Sequence, residues 1–241
     1  MSKRISRRAW LTSLPALGGL LLSGCSRERF VPPRVRGNVA VRSIVLVLGL
    51  FVFSAGIVSI YESQLGLSPW DVLNQGIAEH TRLSFGTANI VVALIILVVA
   101  GRLDVKVRVG TVANAILVGT FVDLLLRIDA VDQLSMEALG VRVVLLGAGI
   151  AICGVGTALY IGAGMGAGPR DSLMLGITRR VRHRVGVVRT AIEASVTIIG
   201  FALGGTVGVG TLAFALGIGP AMEVSFALLA RSPLSEPALS E

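Results

Sequence analysis

The stretch Gly66-Leu67-Ser68-Pro69-Trp70-Asp71-Val72-Leu73 returns one hundred residues later as Gly166-Ala167-Gly168-Pro169-Arg170-Asp171-Ser172-Leu173. Shifting the chain by that offset lays one half on the other without a gap. Gly76-Ile77 falls on Gly176-Ile177, Gly86 on Gly186, Gly110-Thr111 on Gly210-Thr211, Ala113 and Ala115 on Ala213 and Ala215, and Gly119 on Gly219. Between positions 51 and 123 about 17 of 73 pairs are identical, and they gather at glycine, proline and alanine. Shared apolar composition would match mostly Leu, Val and Ile. Matches at helix breakers and at residues that let helices approach closely predict one backbone path used twice.

Composition says what that path runs through. Of 241 residues 54% are hydrophobic and only 15% charged, with a mean hydropathy of +0.83, whereas a soluble domain carries about 25% charged residues. The apolar residues form blocks long enough to cross a hydrocarbon core of about 30 Å, which takes about 20 helical residues. The short alternating strands of a barrel are missing. The chain therefore reads as an all-α polytopic membrane protein in contact with the lipid bilayer.

Long helices are expected at roughly 42–61, 84–100 and 109–126, and again at roughly 143–163, 186–203 and 209–230, with a shorter helix opened by Pro69 or Pro169 in each half. A helix from Pro69 to His80 rises about 18 Å, too little to span. One stripe of it is polar (Asp71, Asn74, Gln75, Glu79, then Arg82), while Trp70, Leu73 and Ile77 face the other way. Such a segment is re-entrant or interfacial. Three crossings per copy is an odd number, so the second copy enters from the opposite face. The expectation is six transmembrane helices as two inverted three-helix repeats, each with a short re-entrant or interfacial helix. The divisions are an N-terminal extension (1–30), a first repeat (31–127), an external loop (128–142), a second repeat (143–230) and a cytoplasmic tail (231–241).

The formal charge of +8, from 22 Lys and Arg against 14 Asp and Glu, would suggest nucleic acid in a soluble chain. Here the basic residues sit in short segments between apolar blocks, as cytoplasmic loops do, and no nucleic-acid partner is expected. With the N-terminus inside, about thirteen basic residues lie on the cytoplasmic side and about three outside; eight crossings would give about twelve against four. Length and polarity of the short helices, rather than charge, decide for six. Tyr61 and Tyr160 then fall near opposite interfaces, as aromatic belts do.

Residues 1–30 carry leader-like features. Ser6-Arg7-Arg8-Ala9-Trp10-Leu11 resembles a twin-arginine signal, and Leu22-Ser23-Gly24-Cys25 resembles a lipobox. Lipidation at Cys25 would hold the new N-terminus outside, whereas Arg34, Arg36 and Arg42 before the first span favour inside. The segment is read as an extension. Cys25 and Cys153 lie far apart, His80 and His183 complete no ligand cluster, and no phosphate loop, nucleophile elbow or HExxH is written in the chain. No enzymatic activity, metal or cofactor is expected.

Ser68-Pro69-Trp70-Asp71 has the form of a helix start, with Ser68 as cap, proline at the first helical position and Asp71 at the positive helix end; Gly168-Pro169-Arg170-Asp171 repeats it. On the plain reading both aspartates are caps. On the functional reading, two short-helix N-termini at mirror positions form a polar site, with Arg170 in place of Trp70 favouring an anionic or carboxylate-bearing ligand. Charges at membrane depth cost at least about 2.5 kcal/mol and so face protein or water. The candidate ligand-binding residues are Trp70, Asp71, Asn74 and Asn114, with Arg170, Asp171, Arg189 and Glu193. Arg189 and Glu193, one turn apart, are placed to neutralise each other. Asn114 corresponds to Phe214, so its role is not symmetric; Asp123 and Glu223 are mirror residues near span ends. Gly200, Gly204 and Gly208, spaced by four, are expected to let helices approach closely.

The run from Gly66 to Leu73, the segment Tyr160-Ile161-Gly162-Ala163-Gly164-Met165-Gly166 leading into Gly168-Pro169-Arg170-Asp171, and Val188-Arg189-Thr190-Ala191-Ile192-Glu193 after it resemble the YczE family of bacterial membrane proteins, itself similar to the YitT-like group. The resemblance covers roughly 35–230 and implies a bacterial cytoplasmic-membrane protein with several spans, without implying a reaction. Transporter-like binding or movement of a small solute is the leading expectation. The alternative is a non-transporting accessory or scaffold protein with a membrane partner; homo-oligomerisation is compatible with either.

Overall fold

The computed structural model describes residues 32–236 apart from 104, 106 and 182–184, and only the backbone of residues 130, 132, 185 and 236. The leader-like features of 1–30, Cys25 included, and Lys106, Arg182, His183 and Arg184 lie outside the described residues.

Nine α-helices follow one another among the described residues: α1 (Val39–Ser63), α2 (Pro69–His80), α3 (Phe85–Arg102), α4 (Val109–Leu126), α5 (Asp129–Asp132), α6 (Leu139–Gly162), α7 (Pro169–Val181), α8 (Val185–Ala202) and α9 (Val209–Arg231). Local chemistry sets their starts. The Val41 N–H donates to Asn38 Oδ1 at 3.0 Å ahead of α1, and the Thr87 N–H to Ser84 Oγ at 3.1 Å ahead of α3. The backbone N–H groups of Arg108 and Gly208 donate to Thr111 Oγ1 and Thr211 Oγ1, at 3.4 and 3.3 Å, where α4 and α9 begin. Pro69 opens α2 where its missing N–H would have had no helical partner. The helix starts Val39 and Leu139, Pro69 and Pro169, Phe85 and Val185, and Val109 and Val209 are each one hundred residues apart.

Five helices, α1, α3, α4, α6 and α9, are long and apolar enough to cross a membrane. Large apolar side chains such as Ile44, Ile95, Val144 and Leu216 stand exposed on them, as they do where lipid tails take the place of water. The chain is an all-α, multi-pass membrane protein in contact with the bilayer.

At its centre α1 crosses α6, and the register of contacts runs in opposite senses along the two helices. A Cβ on Gly49 would stand 2.7 Å from Tyr160 N and 3.2 Å from Gly156 O; one on Gly56 would stand 2.8 Å from Gly149 O. Later residues of α1 meet earlier residues of α6, so the pair is antiparallel. Each end is closed by an arginine of the other helix: Arg42 Nε donates to the Ala163 carbonyl and Arg142 Nε to the Ser63 carbonyl, both at 2.7 Å. Guanidinium groups thus meet the negative ends of helices. α2 packs on α8, and α3 packs on α4 and α7. The core holds Leu50, Ile57, Ile60, Val72 and Val122.

The loops before the two short helices take matching paths. Gly66 and Gly166 have φ of +119° and +143°, which L side chains rarely adopt. The Gly210 N–H donates to Leu65 O at 2.7 Å and the Gly110 N–H to Met165 O at 3.1 Å. Outside the helices, Arg34–Val35 and Ser235–Glu236 form a two-residue antiparallel ladder (β1, β2) that joins the two ends of the described chain.

The expected glycine face at 200, 204 and 208 takes a different form. Gly200 lies in α8 against the backbone of Leu73, while Gly204 and Gly208 lie in the loop after the helix ends at Ala202. Gly204 turns the chain with a φ of +85° and has open space beside it, and Gly208 approaches Leu65. Two close approaches to different segments replace one helical face.

Candidate functional site

The polar stripe of α2 faces inward. Asp71 and Asn74 are buried at its first turns, Gln75 Oε1 accepts from the Thr206 N–H at 2.7 Å, and Glu79 near the C-terminal end is exposed, as is Arg82 beyond it. Trp70, Leu73 and Ile77 line the opposite side. A helix in water would orient the other way; in a bilayer the protein interior is the polar side's shelter.

Asp71 gathers its partners from both halves. Its Oδ2 accepts from the Ser68 hydroxyl, and its Oδ1 accepts from Asn74 Nδ2 at 3.4 Å and from Arg170 Nη2 at 3.4 Å. The Ser68 side chain makes no cap bond: the expected cap donates its hydroxyl to the carboxylate instead, because a buried carboxylate needs donors more than the first turn needs an acceptor. The turn itself closes through the Asp71 and Val72 N–H groups donating to Ser68 O, each at 2.9 Å. Arg170 also stacks over the Trp70 ring, 5.4 Å from its centroid. Its guanidinium thus has one carboxylate and one ring as partners, while the side chain stays 28% exposed.

Asp171 sits half-buried at the start of α7, with Tyr160 and Asn114 close by. A Cβ on Gly168 would stand 3.4 Å from Asp171 Oδ2, 3.6 Å from Asn114 Nδ2 and 3.6 Å from the Tyr160 hydroxyl, so polar groups of three helices converge on this glycine. Burial pushes the Asp171 carboxyl above the usual carboxylate range; Arg189 and Arg170 pull it back down, and Glu193 adds to the rise. Arg189 and Glu193 pair with each other on α8, Nε to Oε1 at 2.8 Å. The candidate residues fall into three sets: Trp70, Asp71, Asn74 and Arg170 are joined by direct contacts, Asn114 and Asp171 converge on Gly168, and Arg189 and Glu193 pair with each other on α8.

Tyr160, expected in an aromatic belt, is buried. Its ring meets Phe53 edge-on at 5.9 Å and its hydroxyl points at Gly168, because a phenol can bury its ring only if its oxygen finds polar company. The sequence signal for this was its place eight residues before Gly168 in a glycine-rich run. Asn74 Oδ1 is buried without a partner among the described residues, leaving a free acceptor beside Asp71.

A groove of about 510 Å³ opens next to the polar groups, between α2, α3, α7 and α8. Trp70 belongs to both. The walls match across the halves: Leu73 with Leu173, Val92 with Ile192, Ile96 with Val196. Among the described residues no three His, Cys, Asp or Glu side chains are grouped to hold a metal ion. Chemically the region offers carboxylates, a guanidinium, a phenol and amides for hydrogen bonds at one side, and apolar walls at the other.

Residues 40–226 match a family of unknown function, DUF6198. The chain belongs to that family. An uncharacterized protein of Haemophilus influenzae is 37% identical over 189 residues, covering 78% of this chain and 85% of the relative. The uncharacterized membrane protein YczE of Bacillus subtilis is 30% identical over 173 residues, 70% of this chain and 77% of the relative; YyaS of the same organism is 27% identical over 167 residues. The resemblance to YczE thus extends over 70% of this chain. No solved structure matches the chain.

Proposed function

We propose that this DUF6198 member is built as two inverted three-span repeats and binds or moves a small solute where its two short helices meet. Contacts exchanged between the halves support the repeat. Arg42 with Ala163 is answered by Arg142 with Ser63, and Gly110 with Met165 by Gly210 with Leu65. Each pair maps onto the other when residue numbers are exchanged across the offset of one hundred, which is the signature of a two-fold axis. Because α1 and α6 are antiparallel, that axis runs across the helices and therefore in the membrane plane.

Parity supports six crossings. Ser63 and Arg142 share one side, so the chain between them crosses an even number of times; α3 and α4 satisfy this without α2. Ala163 shares the other side with Arg42, and the ladder of β1 with β2 brings the C-terminal end back to the side of Arg34. One crossing besides α9 is then needed. α8, with 18 residues, suits it, whereas the 13 residues of α7 rise only about 20 Å. Arg34, Arg36 and Arg42 mark their side as cytoplasmic.

The contact of Arg170 with Asp71 carries the functional reading. On this topology it joins the first turns of two short helices that enter from opposite sides, the arrangement that broken-helix transporters use for solutes. The groove beside Trp70 supplies room for an apolar part of the solute. The test has two arms. Single cysteines at Glu79 and Arg180, both exposed, should label from opposite sides in sealed vesicles, and labelling from one side removes the inverted repeat. Flux of a broad solute panel into reconstituted vesicles should depend on the protein. Absent flux together with a stable partner recovered by crosslinking would favour the accessory role instead.

A further inference from the structure

One contact distinguishes the two halves. In the first, α3 lies against α4 so closely that a Cβ on Gly86 or on Gly119 would collide with the other's carbonyl. Asp123, near the end of α4, accepts from the Ser84 hydroxyl, from the Gly86 N–H at 2.8 Å and from Thr87 Oγ1 at 3.3 Å. A carboxylate of α4 thus closes the positive end of α3. The counterparts in the second half stand apart. Among the described residues a Cβ on Gly186 or on Gly219 would meet nothing within 4 Å, and α8 has no packing on α9 to compare with α3 on α4.

Glu223, the counterpart of Asp123, is exposed on α9, the least buried of the five candidate spans. A carboxylate exposed on a span calls for protein or water to meet it. Three residues before it α9 contains Pro220, which removes the helix bond to the Leu216 carbonyl and lets the helix bend there. The first half has Thr120 at this place, its hydroxyl bonded to Ile116 O at 2.9 Å.

We propose that the chain has a second state in which α9 bends at Pro220 and closes on α8 as α4 closes on α3, with Gly219 against Gly186 and Glu223 capping the first turn of α8. The structure is then the state with the first half closed and the second half open. Because α8 also walls the groove and carries Arg189 and Glu193, the opening between α8 and α9 borders the proposed solute site. The inference shares with the proposed function the pairing of the two halves and does not need any solute to be moved.

The test is crosslinking in membranes, in the full chain with Cys25→Ser and Cys153→Ala. Thr87→Cys with Arg127→Cys, one turn beyond Asp123, reports the closed first half. Val187→Cys with Ala227→Cys, both exposed positions and the latter one turn beyond Glu223, reports the proposed closure, and both pairs leave the two carboxylates in place. A short thiol crosslinker should join both pairs within one chain. Gly219→Leu, which fills open space in the present state, should reduce the second link at least tenfold and leave the first unchanged. Absence of the second link in folded protein, a link joining two chains, or a second link indifferent to Gly219→Leu each overturns the proposal. Opposite-side labelling at Glu79 and Arg180 with no second link would sink this inference alone; missing flux with the link present would sink only transport.

Discussion

Arg170, in the first turn of α7, reaches the Asp71 carboxylate in the first turn of α2 at 3.4 Å. The two residues are 99 positions apart, and Asp71 is almost wholly buried while the arginine side chain is 28% exposed. Arg170, where the offset of one hundred residues has Trp70, turns two like-charged helix starts into a matched pair.

Removing one side of that pair should cost more than removing both. Arg170→Met is expected to destabilise by about 1–3 kcal/mol because it leaves Asp71 buried with weaker partners. Asp71→Asn should cost less, and the double variant should fall short of the sum, with a coupling of about 0.5–3 kcal/mol. Denaturant unfolding of the four proteins in one detergent measures it; strict additivity would mean the contact is energetically empty.

Arg42→Ala and Arg142→Ala should each lower stability by a similar amount, about 1–3 kcal/mol, since each removes a charged donor from a helix C-terminal carbonyl at the same distance. Arg142 also donates to Gln64 O at 3.0 Å, so it should be the costlier of the two. Lysine should restore only part, lacking the guanidinium's second donor direction. Thermal unfolding of the purified variants checks the ranking.

The antiparallel crossing of α1 and α6 depends on close backbone approach. Gly56→Leu and Gly149→Leu should each cost about 1–3 kcal/mol or prevent recovery of folded protein, because the new side chain meets helix backbone as well as the buried Cys153 and Ile60 side chains. Gly140→Ala and Gly147→Ala, with open space around them, should be neutral or gain up to about 1 kcal/mol from helix propensity. Yield of monodisperse protein and its melting temperature separate the two groups.

Much of the fold was legible in the chain. Helix starts at Pro69, Pro169 and position 109 coincide with the expected ones, because proline and capping residues act locally. The small excursions α5 and the β1–β2 ladder were not expected: four-residue and two-residue elements leave no periodic pattern to read. The candidate residues were legible as polar groups in an apolar chain, and the Arg189–Glu193 pair follows from spacing on one helix. Ser68 as a donor, Tyr160 turned inward and the polar side of α2 turned to the interior were not, because each depends on what another helix presents.

The order and length of the helices and the bilayer as their solvent belong to the sequence by itself, since hydrophobic blocks, helix breakers and the offset of one hundred residues are local or periodic properties. Which polar side chains meet, that α3 rests on α4 while α8 stands off α9, and that Arg170 satisfies Asp71 were decided only in three dimensions. Contacts between residues about a hundred positions apart depend on the direction in which whole helices cross, and no local pattern specifies that.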